Sequence, residues 1–176
     1  MKRMKTLGLM LAVPVLLLAS DRPAKDLTER VRHELVTLPW LGVFDHMTFQ
    51  VEGDRVILGG QVNRPTLRTD AERVVKKVAG VATVTNQIEV LPLSPFDDRL
   101  RLATARSIYG YPALQRYGLG AIPGIHIVVK NGNVTLAGVV ANAGDRQLAY
   151  LRAMQVPGVF SVSNELMVEG ARQGAL

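Results

Sequence analysis

The chain has 176 residues, of which 48% are hydrophobic and 20% are charged, and its formal net charge is +6. Three basic residues lie within the first five positions, so the basic excess from residue 21 onward is only three. Such a small excess, without a dense basic stripe interleaved with aromatic residues, argues against nucleic-acid binding, and the lack of cysteine excludes disulfides and cysteine-linked lipid.

Residues 1–20 indicate an export signal. The basic start precedes an apolar run from Leu7 to Leu18 and two small residues at 19 and 20. Twelve residues form a helix of only about 18 Å, which is short for a hydrocarbon core of roughly 30 Å. We therefore predict a signal peptide at 1–20, and a signal anchor that stays uncut is the alternative.

The first elements of the exported part are a helix and an apolar connection. Apolar residues recur at helical spacing from Leu27 to Leu38 with charged residues between them, which predicts an amphipathic helix. After it come Trp40, Leu41 and Phe44. We expect these three to pack beneath a sheet, and a surface contact with a membrane is the alternative.

A hairpin, a second helix and a last strand follow. Gly53-Asp54 predicts a tight turn between strands near 49–52 and 55–62. An apolar stripe predicts a helix over 66–79, and a valine-rich strand over 81–90 completes an α-β-β-α-β order. Helices with one apolar face need a sheet to cover, so this order predicts a small two-layer sandwich.

The same unit occurs twice. Residues 49–90 recur without a gap as 127–168, and 13 of the 42 aligned positions are identical. Most identical residues are apolar or glycine, and the only repeated charged residue is Arg68/Arg146, so the repeat specifies cores and turns rather than a duplicated enzyme site. The Asn131-Gly132 pair predicts the second hairpin.

The second copy departs from the first along its long helix. There Asp145 aligns with Leu67, so we predict a shifted buried stripe. The residues assigned to that stripe are Leu148, Ala149, Leu151 and Met154.

Four paired glycines are predicted to have structural roles. Gly60 and Gly138 lie inside strands, where we expect a crossing helix to approach the sheet closely. Gly80 and Gly158 are placed to end the long helix of each copy.

The predicted fold class is therefore α+β, with two tandem two-layer αββαβ sandwiches behind an N-terminal signal helix. The predicted boundaries are 21–91 for the first module, 92–96 for a proline-containing linker, 97–169 for the second module and 170–176 for a flexible tail.

Two sequence patterns carry a resemblance to a known family. The first is Val56-x-Leu58-x-Gly60-x-Val62 and its copy Val134-x-Leu136-x-Gly138-x-Val140, and the second is Gly80-Val81-x-x-Val84-x-Asn86-x-Ile88-x-Val90 with its copy at 158–168. The chain resembles the BON domain family of bacterial envelope proteins. The resemblance implies a periplasmic location, no enzymatic activity, no cofactor, and domains associated with phospholipid binding and envelope integrity.

The sequence contains no obvious catalytic or metal-binding constellation. His33, His46 and His126 lie apart, without a second ligand at metal-site spacing, and no serine stands in a nucleophile pattern. We therefore predict no enzyme, no metal, no cofactor and no small-molecule substrate.

A cluster of cations and tyrosines near the start of the second module is the strongest candidate site. Arginines suit anionic headgroups, and aromatic rings tolerate a membrane interface. The predicted lipid-contact residues are Arg99, Arg101, Arg106, Tyr109, Tyr111, Arg116 and Tyr117. The alternative is a solvated helix face followed by a loop whose tyrosines fill the core. The predicted partner is an anionic phospholipid surface or, for an adaptor that docks through exposed sheet edges, another envelope protein.

Overall fold

The computed structural model describes residues 22–120 and 123–170, without the side chains of residues 22–25. The predicted signal peptide at 1–20 and residues 171–176 of the predicted tail lie outside the described residues. Within the described part of the chain, no helix combines the length and the apolar character needed to cross a bilayer.

The first module has the predicted α-β-β-α-β order. Its elements are α1 (Arg22–Val36), β1 (His46–Glu52), β2 (Arg55–Val62), α2 (Pro65–Val75), β3 (Thr83–Asn86) and β4 (Glu89–Val90). Strand β1 pairs antiparallel with β2, and the other edge of β2 pairs parallel with β3 and β4. The last strand, predicted as continuous, is interrupted at Gln87 and Ile88, where the Ile88 side chain is buried in the core.

The second module repeats this architecture. Its elements are α3 (Pro95–Tyr109), a 3₁₀ turn (Gln115–Gly118), β5 (Ile125–Lys130), β6 (Asn133–Val140), α4 (Ala143–Met154) and β7 (Ser161–Val168). Strands β5 and β6 form an antiparallel hairpin, and β7 pairs parallel with β6. Positive φ angles at Asn131 (52°) and Gly132 (77°) confirm the predicted Asn-Gly turn.

Each module has its own hydrophobic core. Leu58 and Ala71 are fully buried in the first core, and Leu136 and Ala149 are fully buried in the second. The helices and strands that build both cores lie within the described residues.

The two modules touch at the edge of the second sheet. Val43 and Phe44 of the first module pack against the second core. The Ile127 N–H of β5 donates to the Val43 carbonyl over 2.8 Å, and Lys130 pairs with Glu89. The connection before β1 thereby covers part of the β5 edge.

The reason for glycine at positions 60 and 138 differs from the predicted one. A Cβ at Gly60 would lie 2.1 Å from the His46 carbonyl oxygen, and a Cβ at Gly138 would lie 2.4 Å from the Gly124 oxygen. Both glycines also have positive φ, of 94° and 119°. The close neighbour is therefore the backbone of the adjacent chain segment in the sheet, and the prediction of a crossing helix was wrong.

The structure also differs from the predicted ends of α2 and α4 and from the predicted start of α3. Gly80 and Gly158 do have positive φ, but α2 and α4 end earlier, with Lys76 and Gln155 as their C-caps, so these glycines turn the chain toward the last strand. Helix α3 begins at Pro95, inside the predicted linker, because Ser94 caps it: the Asp97 N–H donates to Ser94 Oγ over 3.2 Å.

The predicted buried stripe of α4 was only partly right. Ala149 and Ala153 are fully buried, whereas Leu151 and Met154 are 46% and 49% exposed. Small side chains let α4 lie close to the sheet. On the neighbouring face, the Arg152 guanidinium donates to the Ser107 carbonyl of α3 over 3.0 Å, which leaves Leu151 on the outer side.

Candidate functional site

The predicted cation cluster divides into an exposed part and a buried part. Arg99 and Arg106 are exposed on α3, and neither has an acidic partner among the described residues. The Arg101 side chain is 2% exposed, donates to the Val129 carbonyl over 2.8 Å and pairs with Asp98. Arg101 is therefore unavailable at the surface, which corrects its grouping with the other two.

The helical period explains this division. Leu100, Thr104 and Ile108 face the core, and Arg101 lies beside them on the wheel. With about 100° of rotation per residue, Phe96, Arg99, Leu102 and Arg106 fall within about one third of the circumference on the opposite side. We call these four residues the α3 stripe.

The α3 stripe combines cations with exposed apolar side chains. Phe96 and Leu102 are 38% and 52% exposed, and the Arg99 guanidinium lies 5.9 Å from the Phe96 ring centre. Phe160, which is 73% exposed, lies beside the stripe with its ring centre 6.1 Å from that of Phe96. The surface is therefore both positively charged and apolar.

A buried carboxylate holds the start of α3 against the sheet. Asp97 is fully buried, and its two oxygens accept the backbone N–H groups of Asn131 (2.9 Å) and Gly132 (2.8 Å) at the β5–β6 turn. The hairpin contact fixes where α3 presents its outer face.

The tyrosines at the end of α3 and in the segment after it contact other residues of the protein. The Tyr109 hydroxyl donates to the Ile125 carbonyl, and burial raises the pKa of that phenol well above its ordinary value. The Tyr117 hydroxyl donates to Asp145 Oδ2 over 2.6 Å, and Arg116 also pairs with Asp145. Tyr111 is 39% exposed and lies under the Arg152 guanidinium. Tyr109 and Tyr117 therefore pack against the second core, as in the alternative in which the tyrosines fill the core, whereas Tyr111 remains exposed.

This loop also explains why Asp145 stands where the first module has Leu67. The hydrogen bond from Tyr117, together with the bonds and charge of Arg116, lowers the pKa of Asp145 although partial burial opposes this. A carboxylate therefore replaces a core leucine because the inserted segment supplies its partners. The sequence of neither copy alone shows that Asp145 binds Tyr117 and Arg116.

Two of the three histidines meet at the contact between the modules. The imidazole centres of His46 and His126 lie 5.5 Å apart. Burial lowers the pKa of both imidazoles. At His46, repulsion from His126 lowers the pKa further, and the charge of Glu165 opposes the lowering. At His126, the backbone of Asp45, the backbone of Gly42 and the charge of Asp45 all oppose the lowering of the pKa. The pair was not predicted, because its members are eighty positions apart.

These histidines do not form a recognisable metal site or reaction centre. Within the described residues, no group of three or more histidine, cysteine or acidic side chains could hold a metal ion. A cavity of about 110 Å³ beside His126 is lined by Leu35, Leu41, Met47 and Phe49. Small-molecule sites usually occupy about 300–1,000 Å³. The junction is therefore better explained as a contact between modules.

Two apolar residues of the first module are placed differently from the prediction. Leu41 packs against the first core as expected, whereas Phe44 packs against the second core. Trp40 does not pack against a core, because its side chain is 72% exposed.

Comparison with known proteins identifies a matching family model and solved structures that are similar to the chain. A family model described as the BON domain matches residues 23–92 and 113–170. A search of curated proteins finds no match. Among solved structures, the chain is similar to CdsD, a structural protein of the type III secretion system of Chlamydia trachomatis, at 14% identity and a TM-score of 0.32, over 81% of this chain and 92% of that chain. A structure of the CdsD C-terminal domain is similar at 13% identity and a TM-score of 0.32, over 81% of this chain and 97% of that chain.

Proposed function

The chain belongs to the BON domain family, a non-catalytic family of envelope-associated proteins, and we propose that it supports the bacterial envelope by binding anionic phospholipid through the α3 stripe. The proposal places the protein in the periplasm and assigns it no enzymatic activity. One observation carries this proposal: Arg99 and Arg106 project from the outer face of α3 without acidic partners in the described chain, on the same face as the exposed side chains of Phe96 and Leu102.

The expected contact is weak and reversible. Each arginine close to an anionic membrane contributes about 1 kcal/mol, so the two together contribute about 2 kcal/mol, or roughly thirtyfold in affinity. Phe96, Leu102 and Phe160 add apolar contact at the interface. Because the charged part is screened within a Debye length, binding should weaken as salt increases.

Vesicle co-sedimentation tests this assignment. Residues 21–176 should sediment with vesicles that contain phosphatidylglycerol, sediment less at high salt, and stay in solution with phosphatidylcholine vesicles. Arg99→Glu combined with Arg106→Glu should reduce binding by more than thirtyfold. Undiminished binding by this double variant would refute the α3 stripe as the contact surface.

A matched variant controls for net charge. Arg55 and Arg146 are exposed on β2 and α4 and do not belong to the α3 stripe. Changing both to glutamate alters the net charge by the same amount. An equal loss of binding in this control would show that general charge, rather than the α3 stripe, drives association.

An adaptor is the second candidate, and the edge of the second sheet favours it. Strand β7 is eight residues long and, within the described part of the chain, pairs with another strand only through β6. Its free edge could pair with an extended segment of another envelope protein. This function requires a complex that survives without lipid, which crosslinking in the native envelope would detect.

A further inference from the structure

Trp40 occupies an energetically unfavourable position in the loop between α1 and β1. Its side chain is 72% exposed although its near neighbours Leu41 and Phe44 are packed. Its φ of 71° also lies in the left-handed region, which a bulky residue rarely adopts. A large apolar ring held in water on a strained backbone suggests a role that the packing of the chain does not explain.

A cation accompanies the exposed ring. The Arg64 guanidinium lies 5.2 Å from the centre of the Trp40 ring. Arg64 is itself exposed, and no described acidic side chain pairs with it. The segments 37–45 and 63–69, which bear these residues, contain two arginines and one acidic residue, Asp45. The Asp45 carboxylate is buried, where it accepts the N–H groups of Gly42 and Asn63, so the exposed charges beside Trp40 are positive.

This combination has the chemistry of a membrane interface. An indole ring is apolar with one polar N–H, so it is favoured at the level of lipid headgroups, and an unpaired arginine is attracted to anionic ones. A protein partner would be expected to need a wider ring of packed contacts around the aromatic residue. Here the neighbouring apolar side chains face inward.

We propose that Trp40 and Arg64 form a second lipid contact, on the first module, in which the indole enters the headgroup region of an anionic bilayer. This inference rests on the proposed function, because it assumes that the protein meets such a surface. It adds a contact outside the α3 stripe and assigns it to the loop after α1.

The chain contains a natural reporter for this contact, because Trp40 is its only tryptophan. When residues 21–176 are titrated with phosphatidylglycerol vesicles, Trp40 emission should move to shorter wavelength, and lipids brominated near the headgroup should quench it. Phosphatidylcholine vesicles should produce neither change. Co-sedimentation without a change in emission or quenching would overturn the second contact and leave the α3 stripe intact, whereas absence of co-sedimentation would overturn both.

Single variants separate the two members of the contact. Arg64→Gln should weaken binding about fivefold, the factor expected for one arginine at an anionic surface. Arg55→Gln makes the same charge change at the opposite end of β2 and should leave binding unchanged. Equal losses in the two variants would overturn the role of Arg64.

Trp40→Gly distinguishes lipid contact from a structural role. Glycine tolerates positive φ, so the variant should unfold at the same temperature as the unchanged chain or a higher one, yet bind vesicles more weakly. Leu93→Ala, at a side chain that is 94% exposed, serves as the control and should bind normally. Lower stability together with unchanged binding in Trp40→Gly would show that the ring serves the fold, which would refute the proposal.

Discussion

Replacing Asp97 with alanine tests how the proposed lipid-contact helix is held to its sheet. The carboxylate is fully buried and accepts two backbone N–H groups from the β5–β6 turn, at Asn131 and Gly132. Nothing in an alanine side chain can accept these hydrogen bonds. The variant should therefore loosen the contact between the start of α3 and the hairpin.

The size of the effect follows from the surroundings of each donor. A hydrogen bond to a charged group contributes about 1.5–3 kcal/mol, and a buried donor left unpaired costs about 1–3 kcal/mol. Gly132 is buried, so its N–H stays unpaired, whereas Asn131 is exposed and water can reach its N–H. We expect Asp97→Ala to lower the free energy of unfolding by about 3 kcal/mol, and Asp97→Asn, which keeps one acceptor, by about 2 kcal/mol.

Urea denaturation of residues 21–176, followed by far-ultraviolet circular dichroism, measures this loss. Asp54→Ala is the control, because Asp54 is an exposed residue of the other hairpin turn, and its variant should remain within about 0.5 kcal/mol of the unchanged chain. If Asp97→Ala also stayed within that range, the carboxylate would not hold α3 to the hairpin and the reasoning would be refuted.

Three further predictions concern the turns, the junction and the inserted loop. Gly60→Ala and Gly138→Ala should each destabilise the protein by about 3 kcal/mol, because each position has a positive φ and the new Cβ would overlap a backbone oxygen. Gly42→Ala is the control and should change the melting temperature little, because a Cβ there would make only ordinary contacts. The pKa of His46 and of His126 is lower in the folded state, so the stability they contribute is present above their ordinary pKa of about 6.5 and is lost as the pH falls below it. Changing both histidines to glutamine should make the melting temperature depend less on pH in that range. An unaltered dependence of the melting temperature on pH would contradict this prediction. Asp145→Leu, which installs the residue found at the matching position of the first module, should destabilise by about 1–2 kcal/mol because the Tyr117 hydroxyl loses its acceptor; a more stable variant in urea would show that the carboxylate is not needed.

Much of the fold could be predicted because its signals are local or periodic. The Asn131-Gly132 turn and the helical spacing from Leu27 to Leu38 each depend on residues close in sequence. The repeat then strengthened every assignment, since two copies with the same pattern of valine and glycine must solve the same packing problem. The order of elements in both modules was confirmed for this reason.

The candidate site was predictable only in part. Helical spacing alone separates Arg101 from Arg99 and Arg106, so closer use of that period would have placed Arg101 beside the core. No comparable signal showed that Asp97 binds the hairpin or that Tyr117 binds Asp145, because these partners are 28 or more positions apart.

The sequence by itself determined that two αββαβ modules form, which apolar residues from Leu27 to Leu38 are buried and which type of turn closes the second hairpin. Those outcomes follow from the spacing of apolar residues and from the backbone freedom of a few turn positions. Only the tertiary structure decided that Asp97 holds the start of α3 to the β5–β6 turn, why Asp145 can replace a core leucine, and that His46 meets His126 between the modules. Each of these depends on atoms brought together by chain closure over long separations, and the spacing of residues within a single element carries no record of such contacts.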